Sequence, residues 1–377
     1  MSRLSTLETP AALIDVQRMQ RNIDHMQSRM TSLGVRFRPH VKTSKCTPVA
    51  KAQQAAGAQG ITVSTLKEAA QFFADGFTDI LYAVGMVPSK LPQALGLRRQ
   101  GCDLKIITDS VASASAIAAF GREQGEVFEV WIEIDSDGHR SGIKPEDDML
   151  LAVAHALHKG GQKLGGVMTH AGGSYDFDTP EALRAIAEQE RAACVRAAER
   201  LRQAGLPCAV VSVGSTPTAL SATQLEGVTE VRAGVYVFFD LVMHNIGVCD
   251  TSDIALSVLT TVIGHQSEKG WAIVDAGWMA MSRDRGTQKQ KHDFGYGQVC
   301  GLDGEVLPGY VLSGANQEHG IVSLQGGLDT DIASRFPVGS QLRILPNHAC
   351  ATGAQFPAYQ AIKEGGRVTE WARFYGW

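Results

Sequence analysis

No apolar run in this chain is long enough to cross a bilayer, and Met1 to Leu13 lacks the apolar core of a secretory signal. Both absences point to a cytoplasmic protein. A long Lys/Arg cluster is also missing, and the formal net charge of -4 argues against nucleic acid or an anionic membrane as the main partner. A small molecule fits better. The seven cysteines (Cys46, Cys102, Cys194, Cys208, Cys249, Cys300, Cys350) are odd in number, scattered and without a CxxC pair. They read as reduced thiols, most of them core. What remains is ordinary globular material: 377 residues, 44% apolar and 20% charged. That length exceeds what one core usually supports, so two domains are expected.

Strand-like runs occur at 35–41, 60–63, 79–84, 104–108, 127–134, 165–169, 209–213 and 230–237. Alanine- and leucine-rich stretches separate them, among them 66–76, 110–124, 148–159 and 180–205, and these suit helices. Val16 to Leu33 reads as an amphipathic helix with Ile23, Met26 and Met30 on its apolar side. Alternating strands and helices imply a parallel sheet, and eight units imply closure into a (β/α)8 barrel over residues 15–248. Beyond about residue 250 the chain turns rich in Val, Ile, Thr and Gly. Strand candidates at 254–264, 270–275, 309–313, 319–324, 340–345 and 367–374 describe a β domain over 249–377. Residues 1–14 are assigned to it, because a strand before the first helix has no place in the barrel.

Barrel enzymes place their chemistry where strands end, so the residues after each run form a testable set. The first run gives His40 and Lys42, and the fifth the turn from Asp135 to Gly142 with Arg140. The sixth gives His170 and then Tyr175. The seventh ends in Gly214-Ser215-Thr216-Pro217-Thr218, and the eighth carries Gly234-Val235-Tyr236. A desolvated lysine loses its proton readily and forms an imine with a carbonyl, which makes Lys42 a candidate Schiff-base residue; the plainer alternative is a surface lysine beside Lys45. A Gly-Ser-Thr turn running into a helix offers backbone N–H groups and hydroxyls, as a phosphate cradle requires. Lysine and cradle together suggest an aldehyde that carries a phosphate, and pyridoxal 5′-phosphate (PLP) fits.

The segments Thr9-Pro10-Ala11, Arg38-Pro39-His40-Val41-Lys42-Thr43, His139-Arg140-Ser141-Gly142, Thr169-His170-Ala171-Gly172, Gly214 to Thr218 and Pro346-Asn347-His348-Ala349-Cys350 carry a resemblance. In this order the chain resembles the PLP-dependent D-serine dehydratase and D-threonine aldolase family. The likeness extends into Ile61 to Glu68, where no chemistry is evident. The resemblance implies an alanine racemase type of PLP-binding barrel with a C-terminal antiparallel β domain, working as a homodimer. It implies that Lys42 holds PLP and takes the Cα proton, that Arg140 lies near the cofactor's phenolic oxygen, and that His170 packs by its ring. Tyr175 would lie near the pyridine nitrogen. His40 would join the cofactor site, with Gly214, Ser215 and Thr216 on the phosphate and the backbone of Gly234, Val235 and Tyr236 completing the cradle.

His348 and Cys350 are two apart, so on an extended strand both would face one ion. A lone His-x-Cys is weak, and a buried cysteine is usually inert. The resemblance implies that this pair binds a divalent metal, with water and the substrate's 3-hydroxyl in the other positions. An ion on that oxygen stabilises the charge that develops as hydroxide leaves. Thiolate favours zinc, with cobalt, manganese and magnesium as the other ions in view. The resemblance also separates activities, since its aldolases tend to carry Asp where this chain has Cys350. Gln317, Glu318 and His319 sit on a glycine-bounded turn and read either as an exposed loop or as support for the metal site. Asp275 to Asp284 also resembles the family and is a candidate for facing a partner subunit's active site. Arg38 and Arg283 are, by charge alone, the candidates for a second substrate carboxylate.

Three activities are therefore expected as alternatives. The first is a metal-assisted PLP dehydratase that turns a 3-hydroxy-D-amino acid into a 2-oxo acid and ammonia, with D-threo-3-hydroxyaspartate, giving oxaloacetate, as the preferred substrate. The second is an aldolase of the same family, releasing glycine and an aldehyde. The third is a noncatalytic PLP-binding protein, which the β domain and its metal pair count against.

Overall fold

The computed structural model describes residues 4–377. The chain forms two compact units, one from His25–Gly234 with Gly376–Trp377, the other from residues up to Asp24 with Val235–Tyr375. The sequence reading draws these divisions at 14/15 and 248/249 instead.

The first strand, β1 (Ala11–Asp15), belongs to the second unit. The helix Val16–Ser32 follows it, burying Met19, Ile23, Met26 and Met30. The barrel unit contains β2 (Arg36–Pro39), β3 (Ile61–Val63), β4 (Asp79–Gly85), β5 (Asp103–Thr108), β6 (Glu129–Ile134), β7 (Lys163–Thr169), β8 (Val210–Val213) and β9 (Glu230–Ala233). All pair in parallel, in the order β2-β9-β8-β7-β6-β5-β4-β3, and a parallel bridge between His40 and Thr62 joins the two ends. The sheet is a closed barrel. Leu81, Ile107, Trp131 and Met168 cluster in its buried core. Helices start where the sequence supplies caps: Thr65, Ser110 and Thr179 each accept a backbone N–H from three residues on. Some strands are shorter than expected, as where the run 35–41 is a strand only over Arg36–Pro39. The run 230–237 stops at Ala233, and Val235–Val237 forms a 3-10 turn.

The β unit adds β10 (Leu256–Gln266), β11 (Trp271–Val274), β12 (Gly297–Cys300), β13 (Val306–Ala315), β14 (Gly320–Leu324), β15 (Gln341–Pro346), β16 (Ala358–Ile362) and β17 (Val368–Ala372). These join β1 in a nine-stranded sheet, β11-β14-β13-β12-β15-β10-β1-β16-β17, antiparallel except for β1 beside β16. The N-terminal strand thus lies where the sequence placed it, hydrogen-bonded to β10. Strands β12 and β16 were not expected.

Candidate active site

At the C-terminal end of β2 the chain makes a turn from Val41 to Lys45, closed by Lys45 N–H on Val41 O at 2.9 Å. Lys42 stands exposed on it, and its ammonium makes no hydrogen bond or ion pair with the described residues. Lys45 is the buried one, 3.0 Å from Glu68 Oε1. The desolvation expected of Lys42 is thus not a property of the chain alone.

Two neutral imidazoles flank Lys42. Burial, then the charges of Lys42 and Arg232, hold His40 well below the usual histidine range. Burial likewise takes His170 down to about 3, with Lys42, Arg140 and Arg232 adding to the effect against a hydrogen bond to Gly214. His170 Nδ1 is 3.0 Å from the Gly214 carbonyl. A carbonyl only accepts, so Nδ1 carries the proton and Nε2 is the lone-pair nitrogen. His40 has the opposite tautomer, because its Nδ1 accepts the Lys42 N–H at 3.4 Å. The Tyr175 ring lies 6.3 Å from that of His170, and Arg140 is exposed, 3.8 Å from Glu133.

The turn after β8 differs from a free cradle. Gly214 N–H donates to Glu190 at 3.2 Å, and Ser215 N–H to Thr218 Oγ1 at 2.9 Å within a capping box. Ser215 Oγ also pairs with Ser174 Oγ at 2.8 Å. Two of the amides read from sequence as phosphate donors are therefore already engaged. The Gly214 amide is taken by Glu190, buried on the helix Pro180–Gln203 and also accepting Ala171 N–H at 2.8 Å. Sequence reasoning missed Glu190, although a glutamate among Leu183, Ile186, Ala187 and Cys194 on one helix face was a visible signal. It also missed Arg232 on β9, buried and bound to Thr169 O and Ser212 Oγ, each at 2.6 Å. Gly234 has His40 O and Thr43 Oγ1 each 3.1 Å from where a Cβ would stand. Val235 and Tyr236 follow it as buried residues of the 3-10 turn.

Arg38 is excluded from substrate binding. It is buried in the barrel, 2.9 Å from Glu230 and 2.8 Å from Asp79. Deleting one partner of such a buried pair costs about 3–5 kcal/mol. Arg283 is exposed, its guanidinium 4.2 Å from the Trp278 ring centroid.

In the β unit, His348 and Cys350 meet, though not on a strand. His348 is the residue before the short helix Ala349–Gly353, and Cys350 lies in its first turn, so a helix start and not strand alternation brings the two side chains together. His348 Nδ1 pairs with Asp284 Oδ2 at 2.5 Å, and the next amide, Ala349 N–H, donates to buried Asp240 at 2.9 Å. Burial acts to lower the His348 pKa, but Cys350, the Asp284 hydrogen bond and Asp240 outweigh it and raise it to about 11. No set of three or more His, Cys, Asp and Glu side chains able to hold an ion exists among the described residues. His348 and Cys350 are the pair the fold brings together here. Gln317, Glu318 and His319 are exposed; the support for His348 comes from Asp284. Met281 packs in the core, whereas Met279 is exposed.

Residues 14–242 match the model of the alanine racemase N-terminal domain, and residues 255–362 that of a serine dehydratase domain. The chain belongs to the alanine racemase-like family. It is 73% identical over 376 residues to D-threo-3-hydroxyaspartate dehydratase of Delftia sp. strain HT23, covering 99% of each chain. D-serine dehydratase of Dictyostelium discoideum is 29% identical, with 97% of this chain and 96% of that one covered. Among solved structures, a cysteine-to-alanine mutant of D-threo-3-hydroxyaspartate dehydratase in a metal-free form superposes with a TM-score of 0.99 at 72% identity, covering 100% of both chains. The (β/α)8 barrel with an antiparallel β domain is accordingly the fold of this family.

Proposed function

We propose that this chain is a PLP- and divalent-metal-dependent dehydratase that converts D-threo-3-hydroxyaspartate to oxaloacetate and ammonia. The 73% full-length identity to an enzyme named for that reaction carries the reading. The residues fit the cofactor: an unpaired amine on Lys42, neutral His40 and His170 beside it, and the cationic side chains of Arg140 and Arg232 suit an anionic aldehyde. Lys42, Arg140 and His170 are the catalytic residues of this reading. His40, Tyr175, Thr216 and the backbone from Gly234 to Tyr236 would help hold PLP, with Gly214 and Ser215 shaping the turn. When bound, PLP supplies the electron sink for the charge left at Cα.

Lys42 is the base for the Cα proton. His170, with Nδ1 tied to Gly214, presents a fixed ring face, and burial keeps it uncharged. His348 and Cys350 would hold the ion, their small number leaving positions for water and a substrate hydroxyl, as catalytic sites require. Asp284 orients the imidazole, and Cys350 stands where the related aldolases tend to carry Asp. The seven free thiols suit a cytoplasmic location, and we take the working form to be a homodimer.

A panel of D-threo-3-hydroxyaspartate, D-serine and D-threonine tests the reading. Ammonia should be released fastest from the first, in amounts equal to the keto acid. Equal turnover of D-serine would move the chain to that activity, and glycine as the product would move it to the aldolases.

A further inference from the structure

The turn that carries Lys42 is anchored at its other end. Lys45 has a φ of 45°, a left-handed conformation that a residue with a side chain keeps only when its surroundings impose it. Those surroundings are unusually complete. The Lys45 side chain is buried with its ammonium 3.0 Å from Glu68 Oε1. Glu68, wholly buried at the start of the helix Leu66–Ala74, also accepts the Ser64 hydroxyl at 2.7 Å and the Ser64 N–H at 2.9 Å. One carboxylate thus ties the turn after β2 to the loop after β3.

Gly376 and one face of the Trp377 ring cover this pair, the rest of that residue being exposed. The Trp377 ring centroid is 4.7 Å from Lys45 Nζ, and Lys67 Nζ donates to Trp377 O at 3.0 Å. A Cβ at position 376 would overlap Lys45 Nζ and stand 2.9 Å from Glu68 Oε1, so only glycine permits the approach. Yielding there would break a buried ion pair, which makes the cover a fitted contact. We propose that Lys45, seated on Glu68 and covered by Gly376 and Trp377, is a positioning residue that fixes the Val41–Lys45 turn and so the reach of Lys42. The proposal rests on the assignment of Lys42 as the cofactor lysine.

The test uses PLP-loaded wild type, Lys45→Met, Lys45→Arg and Trp377→Ala. It reads kcat and KM for D-threo-3-hydroxyaspartate, amide hydrogen exchange over residues 41–45, and the residue labelled by borohydride. Lys45→Met should lower kcat about 100-fold with KM nearly unchanged, the cost of a misplacement of roughly 1 Å. Its exchange over 41–45 should quicken, and Lys45→Arg should recover most of both. Trp377→Ala leaves the ion pair intact, so it should lower kcat only about 2- to 5-fold with the same direction in exchange. If Lys45→Met does not fold, Trp377→Ala decides alone. Wild-type kcat and exchange in the folded variants, with the label on Lys42, overturn the positioning role. A wild-type label on any other residue overturns the Lys42 assignment and this proposal with it.

Discussion

His348 Nδ1 lies 2.5 Å from a carboxylate oxygen of Asp284, 64 residues away in sequence. The contact fixes the orientation of the ring. Its backbone is also held, since Asn347 Nδ2 donates to Gly295 O at 2.8 Å and Thr352 Oγ1 to Met281 O at 2.8 Å.

Asp284→Asn should therefore weaken metal binding by about 10- to 100-fold, the usual cost of losing such a partner. Metal titration of the purified protein measures it. PLP content should not change, and unaltered metal affinity would remove Asp284 from the role.

Chelation should abolish turnover while the absorbance of lysine-bound PLP persists. His348→Ala and Cys350→Ala should behave the same way if, as proposed, the ion serves the leaving hydroxyl and Lys42 the cofactor. Full turnover in metal-stripped protein, checked by elemental analysis, would contradict this.

Glu190 predicts a pH dependence of stability. Burial raises its pKa above the ordinary 4.5, although Thr218, Ala171 and Arg232 pull the other way. The folded chain then holds this proton more tightly than the unfolded one. Its contribution is complete below about pH 4.5 and is lost as pH rises through the folded value. Glu190→Gln keeps an acceptor for Ala171 and Gly214 but cannot ionise, so its unfolding midpoint should vary less between pH 4.5 and about pH 7. Parallel curves for the two proteins would dismiss the effect.

Much of the barrel was legible because each β/α unit writes its own periodicity, and the lysine after β2 stood out for its place at a strand end. Less was legible in the β unit. Strand β12, Gly297–Cys300, contains glycine and glutamine, and β16, Ala358–Ile362, is mostly alanine and glutamine between Tyr359 and Ile362; neither composition favours strands. Their partners supply the pairing. Nothing local in the turn after β8 reveals that Glu190, from the preceding helix, already takes the Gly214 amide. Asp284 was read only as part of the run from Asp275, because its bond to His348, 64 residues away, exists only in the folded chain.

Cys350→Asp should shift products away from dehydration. Loss of the Cα proton leads to expulsion of the 3-hydroxyl, whereas loss of the hydroxyl proton leads to Cα–Cβ cleavage. Replacing thiolate by carboxylate changes both the ion preferred and the base beside it. The ratio of glycine to keto acid from one substrate should rise, even as total rate falls. An unchanged ratio with metal bound would free Cys350 of this role.

Dehydration of D-threo-3-hydroxyaspartate is measured most directly by a full product balance from that substrate with PLP and a divalent ion present. One oxaloacetate and one ammonia are expected for each substrate consumed, with no glycine. Glycine and glyoxylate in equal amounts, with ammonia absent, would contradict it.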